Sequence, residues 1–198
     1  MNKTLIGCGA VLVGGIVIFG LVALSSYNRL VGLQEGVDSA WSQVENVYQR
    51  RADLIPNLVE TVKGAAAFEQ ETLQQVIEAR SKATQVSLPS SPGPEQLAAF
   101  QANQDALSSA LSRLLVVVER YPELKATEAY RDLMVQLEGA ENRIAVERRR
   151  FNEAAQAYNT ARRKFPAVLL AGMMGFGEKA YFQAAPGADQ APTVDFSK

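Results

Sequence analysis

No charged side chain interrupts the chain from Thr4 to Leu24. This run of about 21 residues, at about 1.5 Å per helical residue, matches the roughly 30 Å hydrocarbon core of a bilayer. The expectation is a transmembrane anchor over residues 4–25, preceded by a short tail, residues 1–3. Two other readings stay open. Ala23-Leu24-Ser25 offers a small-x-small site where a signal peptide is cut, although the run exceeds the usual apolar core of such peptides. Leu5-Ile6-Gly7-Cys8 looks like a lipoprotein lipobox, but too little chain precedes the cysteine. An uncleaved membrane helix fits the length best. Lys3 and the amino terminus stand on one side and Arg29 on the other, within the range of the positive-inside bias. The amino terminus is expected inside, and the rest of the chain outside, the cytoplasmic membrane. Ala10 and Gly14 form a small-xxx-small pair that suits close approach of two anchors, or else are ordinary small residues of a membrane helix.

Beyond the anchor, composition mostly excludes. Histidine is absent, which removes Ser-His-Asp and Cys-His catalysis, His-ligated zinc or di-iron sites and phosphorylated-histidine signalling. No GxxxxGK[ST] or GxGxxG spacing occurs, so the familiar phosphate cradles are missing. Cys8 is the single cysteine, leaving no intramolecular disulfide. A net charge of -1 gives no broad field for nucleic acid. No cofactor, metal ligand or catalytic residue is expected.

The remainder reads as helix. Leu30, Val37, Val44 and Leu58 recur on one line, with Trp41, Tyr48, Ile55 and Val62 on the adjacent one. The first helix is therefore expected over about 27–85, passing Leu73, Val76 and Ile77, with a kink near Pro56, which lacks a backbone donor. Ser87-Leu88-Pro89-Ser90-Ser91-Pro92-Gly93-Pro94 can only be a turn. Phe100, Leu107, Leu114 and Tyr121, beside Leu97, Leu111 and Val118, give a second helix over 94–120. Tyr130, Leu137, Ile144, Phe151, Tyr158 and Phe165 recur every seventh residue, beside Leu133, Ala140, Ala154 and Ala161, and give a third over 123–165. A fourth is expected over 167–182, then an extended tail, 184–198. An average repeat of about 3.5 residues implies coiled-coil-like packing. The fold class is all-α: an anchor followed by an antiparallel up-and-down four-helix bundle over 27–183.

One charge breaks the pattern. Arg51 falls on the apolar line between Val44 and Leu58, where an unpaired guanidinium costs several kcal/mol. Glu141 or Glu147, on or near the inner face of the third helix, is expected to meet it. Arg50, Arg51 and Asp53 stand close to Pro56, so the group reads either as a bridge that fixes helix register or as a polar groove for a peptide or ligand. Acid–base work by such carboxylates is the remote alternative. The runs Arg148-Arg149-Arg150 and Arg162-Arg163-Lys164 read as solvated faces. Trp41 reads as core, or as a membrane-proximal partner contact. The apolar stretch Val168 to Phe176, with Leu169 and Met173, is too short to span a bilayer and is expected to pack on the bundle or a partner.

At Ala40-Trp41-Ser42-Gln43-Val44, at Tyr48-Gln49-Arg50-Arg51-Ala52-Asp53-Leu54-Ile55-Pro56-Asn57-Leu58-Val59 and at Val62-Lys63-Gly64 the chain resembles the LemA family. The likeness continues at Tyr121-Pro122-Glu123-Leu124-Lys125, Glu141-Asn142-Arg143-Ile144-Ala145 and Phe165-Pro166, covering nearly everything from Tyr27 to Phe182. Phe151-Asn152 departs from the family's usual Tyr-Asn. The resemblance implies a bacterial single-pass membrane protein with an antiparallel helical bundle and no established catalytic activity. Its relatives often lie beside genes for membrane proteases or repeat-rich membrane proteins. The family name has also been used for a sensor kinase, a meaning the missing histidine does not support. Asn57, Lys63, Asn142 and Arg143 join the interaction candidates on this ground. The expected role is a scaffold or adaptor that self-associates or recruits other membrane proteins; the alternative is a sensor or ligand-binding module around Arg51, Asp53 and Glu141.

Overall fold

The computed structural model describes residues 3–64, 69–85, 88–89 and 92–184, with side chains from residue 12 onward. The expectations for residues 1–2, for the side chains of Cys8 and Ala10, for Ser87, Ser90 and Ser91, and for the tail 185–198 lie outside the described residues. Every regular element among the described residues is helical: α1 Lys3–Lys63, α2 Gln70–Gln85, α3 Pro94–Val118, α4 Pro122–Lys125, α5 Glu128–Arg163 and α6 Ala167–Ala171.

α1 is 61 residues long, roughly 90 Å at the helical rise. It joins the apolar run to the amphipathic stretch without interruption, because Ser25-Ser26-Tyr27-Asn28 contains no glycine or proline to end a helix. Leu12, Ile16, Phe19, Leu21 and Leu24 are exposed, whereas Leu30, Val37, Trp41, Val44, Ile55, Leu58 and Val62 are buried. One helix thus passes from an uncovered apolar segment into a packed core.

The expected helix over 27–85 is corrected: it ends at Lys63, and α2 begins at Gln70. Gly64 follows the basic last turn, the pattern that closes a helix. The reversal lets Leu73, Val76 and Ala83 join Leu54, Ile55, Leu58 and Val62 in one cluster. Ile77, placed on the apolar line by the sequence, is instead exposed. α1 continues through Pro56. A proline there frees the carbonyl four residues earlier, and Arg80 of α2 supplies the missing donor, its Nε reaching the Ala52 carbonyl at 2.7 Å.

The third expected helix divides into α4 and α5, with Thr127 capping α5 by accepting from the Tyr130 N–H at 3.4 Å. Tyr130, Leu137, Ile144, Phe151 and Tyr158 are all buried. Phe165 is not; it is 79% exposed, because α5 ends at Arg163 and the chain turns away. The fourth helix is corrected too: α6 stops at Ala171, a turn follows through Gly175 at φ 78°, and residues 176–184 run extended. Gly175 takes the left-handed conformation that side chains other than glycine rarely adopt.

Paired contacts fix the directions. Arg51 meets Glu141 and Trp41 meets Phe151, so α1 and α5 run oppositely. Gln104 meets Ala83 and Arg120 meets Glu69, so α2 and α3 do likewise. One apolar cluster draws on α1, α2, α3, α4 and α5. The other, around Trp41, Tyr48, Phe100, Phe151 and Tyr158, lies where α2 does not reach; there the extended segment contributes Phe176 and Phe182.

Candidate functional site

Arg51 is 1% exposed and stands between the two apolar clusters. Its Nη1 donates to Glu141 Oε1 at 2.7 Å and to Ser108 Oγ at 3.0 Å, and its Nη2 donates to Gln104 Oε1. Gln104 turns its own Nε2 to the Ala83 carbonyl at 3.1 Å, and the guanidinium carbon lies 5.2 Å from the centroid of the Tyr48 ring. Residues from α1, α2, α3 and α5 therefore meet in one polar layer. Such a layer, with a charge that is costly to leave unpaired, penalises any slip of one helix along another. Burial, the largest influence, pushes the Tyr48 hydroxyl above its ordinary pKa; Arg148 and Arg51 pull it down, and the net shift is upward.

Glu141, one of the two carboxylates expected, is the partner; Glu147 instead accepts from Arg150 at 2.8 Å. Gln104 was missed. It occupies the gap in the seven-residue line between Leu97 and Leu111, just as Arg51 does between Val44 and Leu58. That shared gap was the available signal. Asp53 does not join the layer: it is exposed and accepts from Gln49 at 2.7 Å. Arg50, Pro56, Asn57, Lys63, Asn142 and Arg143 also face outward, Lys63 bridging to Glu60 at 2.8 Å. Trp41 is buried, edge-on to Phe100 and Phe151 and stacked with Phe182. Leu169 and Met173 are exposed, whereas Phe176 is buried. Among the described residues no group of three or more His, Cys, Asp or Glu side chains could hold a metal.

A second feature escaped the sequence. Three side-chain amides grip the extended segment by its backbone: Asn159 binds the N–H and C=O of Lys179, Asn152 those of Phe182, and Gln101 those of Gln183, at 2.9 to 3.2 Å. The spacing is geometric. Seven residues of helix from Asn152 to Asn159 advance about 10.5 Å, and three extended residues from Lys179 to Phe182 advance about 10 Å. Between α3 and α5, beside the Arg51 layer, lies a cleft of about 450 Å³ lined by residues including Leu58, Ser108, Leu111, Met134, Leu137 and Glu141.

These features define a class: all-helical proteins with one long, uncovered apolar helix at the amino terminus, associated with a membrane. The LemA family profile matches residues 40–196, and the chain belongs to the LemA family. It is 30% identical over 198 residues to magnetosome protein MamQ of Magnetospirillum gryphiswaldense, covering 91% of this chain and 73% of that protein. The identity to magnetosome protein MamQ 1 of Paramagnetospirillum magneticum is 30% over 192 residues, covering 88% and 71%. Protein LemA of Metamycoplasma hominis is 26% identical over 168 residues, covering 85% and 74%.

Proposed function

We propose that this chain is a single-pass protein of the bacterial cytoplasmic membrane whose up-and-down, coiled-coil-like four-helix bundle serves as a scaffold or adaptor, self-associating or recruiting other membrane proteins without catalysis. The observation that carries this reading is the continuity of α1 from the apolar segment into the Arg51 layer. A helix without a break transmits position, and the buried arginine is taken up by structural partners instead of facing a substrate. By the charge bias around the anchor, the bundle lies on the outer side. A cysteine in place of exposed Glu60, in a Cys8→Ser background, is expected to react with an impermeant maleimide on intact cells; labelling only after lysis reverses this orientation.

The test of the scaffold reading is to crosslink the full chain in its own membrane and measure its size in detergent. A discrete species larger than the monomer, containing further copies or another membrane protein in fixed ratio, is the expected result. A monomer that no crosslinker links to any protein overturns it. A membrane protease or a repeat-rich membrane protein is the partner type the family points to. The cleft beside Glu141 favours one rival, a module that binds a small ligand or peptide. Thermal shift of the full chain against metabolites and cell-wall fragments separates the two: a saturable shift abolished by Leu111→Trp, which fills the cleft, supports the rival.

A further inference from the structure

The turn between α5 and the extended segment carries apolar side chains that the fold leaves uncovered. Phe165 is 79% exposed, Leu169 60% and Met173 86%, and Val168 is also exposed. The opposite side of the same turn, Ala167, Leu170, Ala171 and Phe176, is buried, so these side chains are held outward by a packed support.

Their level along the molecule follows from the register of α1 and α5. With Arg51 against Glu141 and Trp41 against Phe151, each residue forward on α1 answers one residue back on α5. The end of α5, Arg162 and Arg163, therefore lies level with Leu30 and Arg29. The Phe176 ring confirms that level, 5.6 Å from the ring of Tyr27. Leu24, the last residue of the apolar run, is only three residues before Tyr27, about 4.5 Å along the helix. The uncovered turn thus stands beside the point where α1 leaves the apolar segment, with the exposed cations Arg29 and Lys164 at the same level.

We infer that this turn is a second membrane contact: Phe165, Val168, Leu169 and Met173 enter the interfacial layer of the bilayer that holds α1, and the occupant of the patch is lipid. The inference rests on Thr4–Leu24 spanning the membrane. Continuity with that span selects lipid, since exposed side chains beside the exit of the anchor meet the interface before they meet another protein. Aromatic and apolar side chains flanked by cations suit that layer. A single stem leaves a bundle free to spin about its own axis; a second contact off that axis fixes which face of the bundle looks along the membrane.

The experiment places single nitroxide labels on the full chain, in a Cys8→Ser background, at Met173→Cys, Leu169→Cys, Ile16→Cys and Val135→Cys. The protein is reconstituted in vesicles of equal parts phosphatidylcholine and phosphatidylglycerol, and collisions with oxygen are compared with collisions with a water-soluble nickel chelate. Labels at Met173 and Leu169 are expected to favour oxygen, as Ile16 does, while Val135, exposed on α5 far from the anchor, favours the chelate. If Ile16 favours oxygen and both turn positions favour the chelate, the second contact is refuted and the anchor stands. An Ile16 label that favours the chelate removes the anchor and this inference with it. Spin–spin broadening at Met173 without preference for oxygen makes the patch a protein interface instead.

Discussion

Gln104 and Glu141 both serve Arg51, yet their environments predict different consequences of removal. Gln104 is buried and its carboxamide faces the guanidinium within the core; Gln104→Leu takes a neutral acceptor from that guanidinium and the Nε2 donor from the Ala83 carbonyl, and is expected to cost about 1.5–3 kcal/mol. The Glu141 side chain is 47% exposed, water can replace much of what it supplies, and Glu141→Gln is expected to cost about 1 kcal/mol. Denaturant melts of the detergent-solubilised full chain check the order; an equal or reversed ranking contradicts the reading that water replaces the Glu141 contact more readily than the Gln104 one. At this scale the sequence was half legible. A charge on an apolar line announces its need for a partner, so Arg51 and its carboxylate were readable. An uncharged glutamine at the same kind of position gives a quieter signal. Asp53 misled because nearness to Arg51 along the chain does not place two side chains on one face of a helix.

Among the elements, α1 was legible wherever burial dictates periodicity and illegible at its end. Gly64 and Pro56 both break local rules, and only the position of α2 decides that the glycine ends the helix while the proline is absorbed. The coupling can be measured. Arg80→Ala is expected to cost about 1–2 kcal/mol with Pro56 present, since it strips the Ala52 carbonyl of its donor. In a Pro56→Ala background the restored backbone N–H takes that role, and the cost should fall by about 1 kcal/mol. Additive effects would show that Arg80 does not compensate the proline. The extended segment was hidden for a different reason: its order comes from amides on α3 and α5, distant in sequence, and an apolar stretch by itself reads equally well as helix. Asn152→Ala with Asn159→Ala is therefore expected to speed amide exchange of residues 177–183 while the core of α5 stays protected. Unchanged exchange there refutes the role of these clamps.

The whole molecule is a stem and a bundle made from one helix. The sequence made both parts visible and suggested a boundary between them near Tyr27, because periodicity begins there; periodicity reports burial, and burial can change along a helix that does not end. Leu24 and Leu30 lie on the same element, one uncovered and one in the core. The patch around Met173 acquires meaning only at this scale, since folding carries it from late in the sequence to the exit of the anchor. The central claim is that the apolar segment and the Arg51 layer are rigidly joined. Spin labels at Ser25→Cys and Asp53→Cys, in a Cys8→Ser background in bilayer nanodiscs, are separated by 28 residues of α1, about 42 Å if the helix is unbroken. Pulsed dipolar spectroscopy is predicted to give one narrow distribution near that distance. A broad distribution, or a peak much shorter, contradicts the account by showing that stem and bundle move independently.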